Sequence, residues 1–173
     1  MIEILWNGRG GQGAFTAARI LGAAWALKNE RNYALAFPSF GPERRGAPVR
    51  AFTKLSDRPI NNRSEIQLSD FTVYLDDTLF NDTALGNLKD GGKIILNTPR
   101  QYDDSRIVAF DADKIANAIL KRPVTNTVML GVLSAIYPEV TFADIEHAIT
   151  VTMPEQLTPG NIAVVRAVRE EIT

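Results

Sequence analysis

The chain has 173 residues, 45% hydrophobic and 23% charged, and its 19 basic and 20 acidic side chains leave a net charge of −1. A chain of this length buries about 70% of the surface its unfolded form exposes, so one core suffices, and the balanced charge supplies no global field for nucleic acid or an anionic membrane. The complete absence of cysteine removes disulfides, thiolate zinc sites, iron–sulfur ligation and cysteine nucleophiles together.

Residues 2–6 form a short apolar run without a basic leader region, so neither a signal nor a transit peptide is expected. The longer apolar stretches, 20–27 and 128–136, fall short of the roughly 18 residues that cross a bilayer. A cytoplasmic protein with no membrane and no nucleic-acid partner is the expectation.

The run 2–6 ends at a glycine cluster and is followed by 14–29, rich in small apolar residues; this predicts a buried strand, a tight loop and a closely packed helix. Residues 33–37 read as a second strand halted by Pro38, and 49–55 as a third leaving the loop 39–48. After the turn at Ser56-Asp57-Arg58-Pro59, 60–68 reads as an edge strand with a solvent-facing loop. Then 71–75 predicts a buried strand, 78–89 a helix stopped by Asp90-Gly91-Gly92, 93–97 the next strand and 106–110 another. Asp111 stands where an N-cap would, before a helix with Ile115 and Ile119 on one face. Residues 125–137 predict an apolar helix ending at Pro138, and Thr141-Phe142-Ala143-Asp144 reads as a capping box with Asp in place of Glu. Ile162, Val165, Val168 and Ile172 form the stripe of a last helix. The alternation predicts a single α/β domain over residues 1–173, Rossmann-like, with a mostly parallel sheet, helices on both faces and a helical C-terminal part.

Two loops carry chemistry. Gly8-Arg9-Gly10-Gly11-Gln12-Gly13 contains G-x-G-x-x-G between a predicted strand and a predicted helix, where glycines permit close backbone approach and leave helix N-terminal N–H groups free to hold an anion. A dinucleotide site also needs an acidic residue about 20 positions on, at the end of the second strand. Pro38 and Ser39 stand there instead, and Glu30 precedes that strand, which counts against NAD. A purely structural strand-to-helix turn is the other reading, although Arg9 adds a cation where the helix dipole already favours anions.

The second loop, 38–48, holds Pro38, Pro42 and Pro48 with Gly41, Glu43, Arg44, Arg45 and Gly46. The prolines fix φ and restrict their predecessors, so the charges are presented on one pre-set shape. Loops after successive parallel strands gather at the carboxyl edge of the sheet, which places this loop beside the glycine loop. Gly8, Arg9, Gly10, Gly11, Gln12, Gly13, Gly41, Glu43, Arg44 and Arg45, with Arg50 nearby, are therefore candidates for a phosphate or carboxylate site. Structural salt bridging or subunit docking by the same charges stands beside that reading.

Residues 8–13 followed by Ala17-Ala18-Arg19-Ile20-Leu21, and the stretch 36–49 followed by Ala51-Phe52-Thr53, closely resemble the γ subunit, or fused γ domain, of pyruvate:ferredoxin and related 2-oxoacid:acceptor oxidoreductases. The likeness extends more loosely through Asp57-Arg58-Pro59-Ile60, Leu75-Asp76, Gly91-Gly92-Lys93 and 126–133. It implies an assembly that converts a 2-oxoacid, CoA and an oxidised acceptor into acyl-CoA, CO₂ and a reduced acceptor. It implies α, β and ferredoxin-like δ subunits as partners, with thiamine diphosphate, Mg²⁺ and iron–sulfur clusters on those subunits and ferredoxin or another acceptor reached through the complex. CoA is then a co-substrate, and this chain alone binds no cofactor or metal and contributes no catalytic residue. The lack of cysteine and of a Gly-Asp-Gly thiamine motif fits that division of labour.

Other residues offer less. His147 is the only histidine and reads as a surface or interface residue of its helix. Asp76 and Asp77 follow a strand and resemble acid-pair or Mg²⁺ ligands, but capping of the next helix, by Asp77, is the simpler expectation. Ser39 and Thr53 have no base beside them. Besides the complex subunit, a stand-alone nucleotide- or acyl-CoA-binding module, regulatory or NAD(P)-dependent, remains open.

Overall fold

Trp6 and Ile4 are almost fully buried under a helix of small residues, and that contact organises the fold. In the computed structural model, which describes residues 1–39 and 44–172, they belong to β1 (Ile2–Arg9), followed by α1 (Ala14–Lys28), β2 (Tyr33–Pro38), β3 (Pro48–Ser56), β4 (Ser69–Tyr74), β5 (Leu88–Asn97) and β6 (Ile107–Phe110). Four helices complete the chain: α2 (Ala112–Leu120), α3 (Asn126–Ile136), α4 (Phe142–Thr152) and α5 (Thr158–Ile172). The six strands form one sheet in the order β2-β3-β1-β4-β5-β6. β1, β4, β5 and β6 are mutually parallel, whereas β3 runs antiparallel to both β1 and β2.

This order makes a switch point. From β1 the chain crosses through α1 to one side of the sheet, and from β4 onward it steps outward on the other, so a crevice opens between the carboxyl ends of β1 and β4. β2 runs in the direction of β1, so the β2–β3 connection turns at that same edge.

One sheet face, built on Ile4, Trp6, Ala51, Leu55, Val73, Leu75 and Ile95, packs against residues of all of α1 to α5. Ala14, Ala17, Ala18 and Ala24 let α1 lie close to the strands. The polar groups caught there are paired: Trp6 Nε1 donates to Thr53 Oγ1 at 3.1 Å, and that hydroxyl donates to the Ala18 carbonyl at 3.0 Å. α3, mostly apolar and buried from Asn126 to Ser134, lies inside this layer. On the opposite face Tyr74, Ile94 and Leu96 are covered by Leu79, Phe80, Ala84 and Leu85. Helical segments therefore meet both faces, the α-helices on one and two short 3-10 turns, Asp77–Leu79 and Asp82–Asn87, on the other.

Those turns replace the helix expected over 78–89. Asp76 and Asn81 each accept a hydrogen bond from the backbone N–H two residues on, at Thr78 and Thr83, closing separate local turns that compete with a continuous helix. Asp90, Gly91 and Gly92 are not a helix stop. They lie in β5, where its register against β4 shifts between Ser69 and Phe71. Residues 60–68 form no strand. The predicted caps are present: Asp111 accepts from Lys114 N at 3.1 Å, and Thr141 and Asp144 complete a reciprocal capping box.

Candidate functional site

At the switch point the two loops are joined backbone to backbone. Gly10 and Arg45 form a parallel bridge; Gly10 N donates to the Ala47 carbonyl at 2.8 Å and Gly46 N to the Gly10 carbonyl at 3.1 Å. Only glycine fits position 10, because a Cβ there would lie 2.2 Å from the Arg44 carbonyl oxygen. Gln12 closes the glycine loop on itself, its Oε1 accepting from Arg9 N at 2.7 Å.

Arg9 is committed within the chain. Its Nε pairs with Asp76 Oδ2 at 3.0 Å, one terminal nitrogen donates to the Gly46 carbonyl at 3.1 Å and the other to Thr78 Oγ1 at 2.9 Å. One guanidinium thus ties together the loops that follow β1, β2 and β4. Partial burial disfavours the charged Asp76 carboxylate, but hydrogen bonds from Thr78 and the Arg9 charge outweigh it and hold its pKa below the ordinary value.

Arg44 and Arg45 differ. Both are exposed, and among the described residues neither side chain makes an ion pair. Arg45 borders a cleft of about 590 Å³, a size suited to an organic ligand. It is lined by Gly10, Gly11 and Gln12 of the glycine loop, by Asp76, Asp77 and Asn97 at the ends of β4 and β5, and by Asp113 and residues 123–125. The N-terminus of α1 begins beside it with Gly13 in the left-handed region, φ 80°, and with neither a side-chain cap nor an acid in its first turn. Among the described residues, therefore, no side chain caps the first-turn N–H groups of α1 at this edge.

The candidates Gly8 to Gly13, Arg44 and Arg45 therefore assemble at one edge, while Gly41 and Glu43 lie outside the described residues. Arg50 points elsewhere, pairing with Glu65 at 3.0 Å. Asp76, rather than Asp77, caps the turn after β4; Asp77 accepts from Thr98 Oγ1 at 2.9 Å. Asn97, Asp113 and Thr125 join the cleft without having been singled out from sequence. The available signal was a polar residue at a parallel strand's end or a helix start. His147 is exposed. Among the described residues no group of three or more acids and histidines could hold a metal ion, and no helix is long and apolar enough to cross a membrane.

These features define an α/β protein whose switch-point cleft is framed by a glycine loop and an arginine-bearing turn. The model of the pyruvate ferredoxin/flavodoxin oxidoreductase family matches residues 3–171. The chain is 41% identical over 175 residues to pyruvate synthase subunit PorC of Methanothermobacter thermautotrophicus, covering 99% of this chain and 96% of that one. It is 41% identical over 182 residues to the pyruvate/ketoisovalerate oxidoreductases common subunit gamma of Thermococcus litoralis, covering 99% and 97%. The crystal structure of pyruvate oxidoreductase subunit PORC from Thermotoga maritima matches with a TM-score of 0.81 at 31% identity over 98% of this chain and 95% of that one. The chain belongs to the pyruvate ferredoxin/flavodoxin oxidoreductase family, and it corresponds to γ-type subunits over nearly their whole length.

Proposed function

We propose that this chain, the γ subunit of a multi-subunit 2-oxoacid:ferredoxin-type oxidoreductase, provides the CoA-side wall of that enzyme. The assembly turns a pyruvate-like 2-oxoacid, CoA and an oxidised acceptor into acyl-CoA, CO₂ and the reduced acceptor. Thiamine diphosphate with Mg²⁺ and the iron–sulfur clusters reside on its α, β and ferredoxin-like δ partners. This chain, without cysteine, performs no oxidation itself. The observation that carries the reading is the Gly10–Arg45 bridge: it pins Arg45, with Arg44 next to it in the chain, beside a strand-edge cleft and a helix start that has no side-chain cap among the described residues, a geometry for seating phosphates.

Arg44→Ala with Arg45→Ala in the reconstituted complex tests this. The apparent KM for CoA should rise about tenfold or more, since losing a charge-assisted hydrogen bond costs about 1.5–3 kcal/mol. An unchanged KM in a complex of native mass overturns the reading. A panel of 2-oxoacids on the purified complex then fixes the substrate.

A further inference from the structure

The cleft has a second half whose chemistry is opposite to that of its arginine rim. Asp77 and Asp113 each spend one carboxylate oxygen inside the protein, Asp77 Oδ2 on Thr98 Oγ1 at 2.9 Å and Asp113 Oδ2 on Asn97 Nδ2 at 3.0 Å. Their other oxygens accept nothing among the described residues, and neither carboxylate is ion-paired there. Asn97 is fully used, its Oδ1 accepting from Ala112 N at 3.0 Å. Beside them Thr125 is 3% exposed, lines the cleft and, among the described residues, makes no side-chain hydrogen bond, not even to the helix it precedes.

Asp113 is exposed and Asp77 half-buried, so the Thr125 hydroxyl and the two free carboxylate oxygens face the solvent of the cleft and stand ready to pair with a ligand that enters it. The pairing group must donate hydrogen bonds. It must also belong to a molecule whose other end is anionic, because the same cleft carries Arg45 and the glycine loop while Asp76 is cancelled by Arg9. A nucleoside phosphate has this polarity: phosphates at one end, ribose hydroxyls and an exocyclic amine at the other.

We propose that Asp77, Asp113 and Thr125 form a nucleoside-end subsite that reads the donor groups of the CoA nucleotide while the arginine rim holds its phosphates. This rests on the CoA-side reading above, and the two are separable by experiment. In the whole complex, inhibition competitive with CoA is measured for two probes: adenosine 3′,5′-bisphosphate, which has both ends, and inorganic pyrophosphate, which has only the anionic one. Asp113→Asn, Asp77→Asn and the isosteric Thr125→Val should each raise the ratio of the bisphosphate Ki to the pyrophosphate Ki about tenfold, the loss of one hydrogen bond to a charged or buried group. Arg44→Ala with Arg45→Ala should instead weaken both probes together. If the arginine variants weaken both probes but none of the three acceptor-side variants moves the ratio, the subsite is absent and the CoA-side reading survives. If the arginine variants affect neither probe, the CoA-side reading falls and takes the subsite with it. Loss of this subunit from the complex on size exclusion in the Asp113→Asn and Thr125→Val variants would make this part of the cleft a subunit contact and overturn the proposal.

Discussion

The Asn126 side-chain amide donates to the Gly13 carbonyl at 3.2 Å, and a methyl group on Gly13 would stand 2.5 Å from that same nitrogen. The first residue of α3 is thus packed onto the N-cap of α1, across 113 residues of sequence. Gly13 also has φ 80°, a conformation that costs a side-chain-bearing residue about 1–2 kcal/mol. Gly13→Ala should therefore destabilise the chain by about 2–4 kcal/mol, strain and overpacking together. In an Asn126→Ala background the overpacking disappears and only the backbone penalty remains, so urea unfolding of the four-member cycle should show clear non-additivity. Additive costs would mean the two residues do not meet as described.

Arg9 and Asp76 should give the glycine loop a pH signature. The Asp76 carboxyl is held below its ordinary value in the folded state, so the stabilisation it contributes is complete above the unfolded value near 4 and is lost as pH falls through the lower folded value. Asp76→Asn should cost about 1 kcal/mol at neutral pH, a modest figure because the Arg9 side chain is 34% exposed and solvent screens the pair. The stability difference between variant and parent should narrow below about pH 4. Thermal unfolding from pH 7 to 2.5 checks this, and a gap that widens toward acid contradicts it.

At the other end of the sheet Lys54, 1% exposed, lies 3.4 Å from Glu3 and donates to the Asn62 carbonyl at 3.2 Å. Glu3 is shared with Lys89 at 2.9 Å, and Lys89 also holds Asp70 at 2.7 Å. The two charges are therefore not equivalent. Glu3→Gln strands a buried ammonium and should cost about 3 kcal/mol. Lys54→Met leaves Glu3 with Lys89 and fills the buried space with an unbranched side chain of similar length, so its cost should be about 1 kcal/mol or less. Chemical denaturation that ranks them in the reverse order would refute this account.

How much of this was legible depends on the range of the forces involved. α1, β3 and the capping box at Thr141 are local patterns of burial and short side chains, and they emerged as read within a residue; β1 emerged too but runs on from Trp6 through Gly8 and Arg9, because β3 pairs with it that far. The segment 78–89 misled because Leu79, Phe80, Ala84, Leu85 and Leu88 fall near helical spacing. The Asx turns at Asp76 and Asn81 and the capture of Leu88 by Ser69 in the sheet decide otherwise, and the last of these is non-local. The meeting of the glycine and arginine loops followed from parallel-strand geometry. Arg9 read as a free cation because its partners, Gly46, Asp76 and Thr78, lie 37 to 69 residues away. Asn97, Asp113 and Thr125 converge only through the β4–β5 order and the docking of α2 and α3, which no window of sequence contains.

Gly10 offers the sharpest functional consequence. Its carbonyl and N–H are both taken by the β2–β3 connection, through Gly46 and Ala47, and no atom larger than hydrogen fits between its Cα and the Arg44 carbonyl. Gly10→Ala must push the arginine-bearing turn away, because the obstructing atom belongs to backbone rather than to a side chain that can rotate. The hydrophobic layers do not touch this point, so the fold should survive with a loss of about 1–3 kcal/mol. Arg44 and Arg45 would move relative to the glycine loop, and a displacement of even about 1 Å in a positioning element is expensive for ligand placement. In the reconstituted complex the KM for CoA should therefore rise by at least as much as in the double arginine variant, whereas the KM for the 2-oxoacid should stay near its parent value. Equal increases in both would mean that the bridge serves general assembly of the enzyme and not the CoA side.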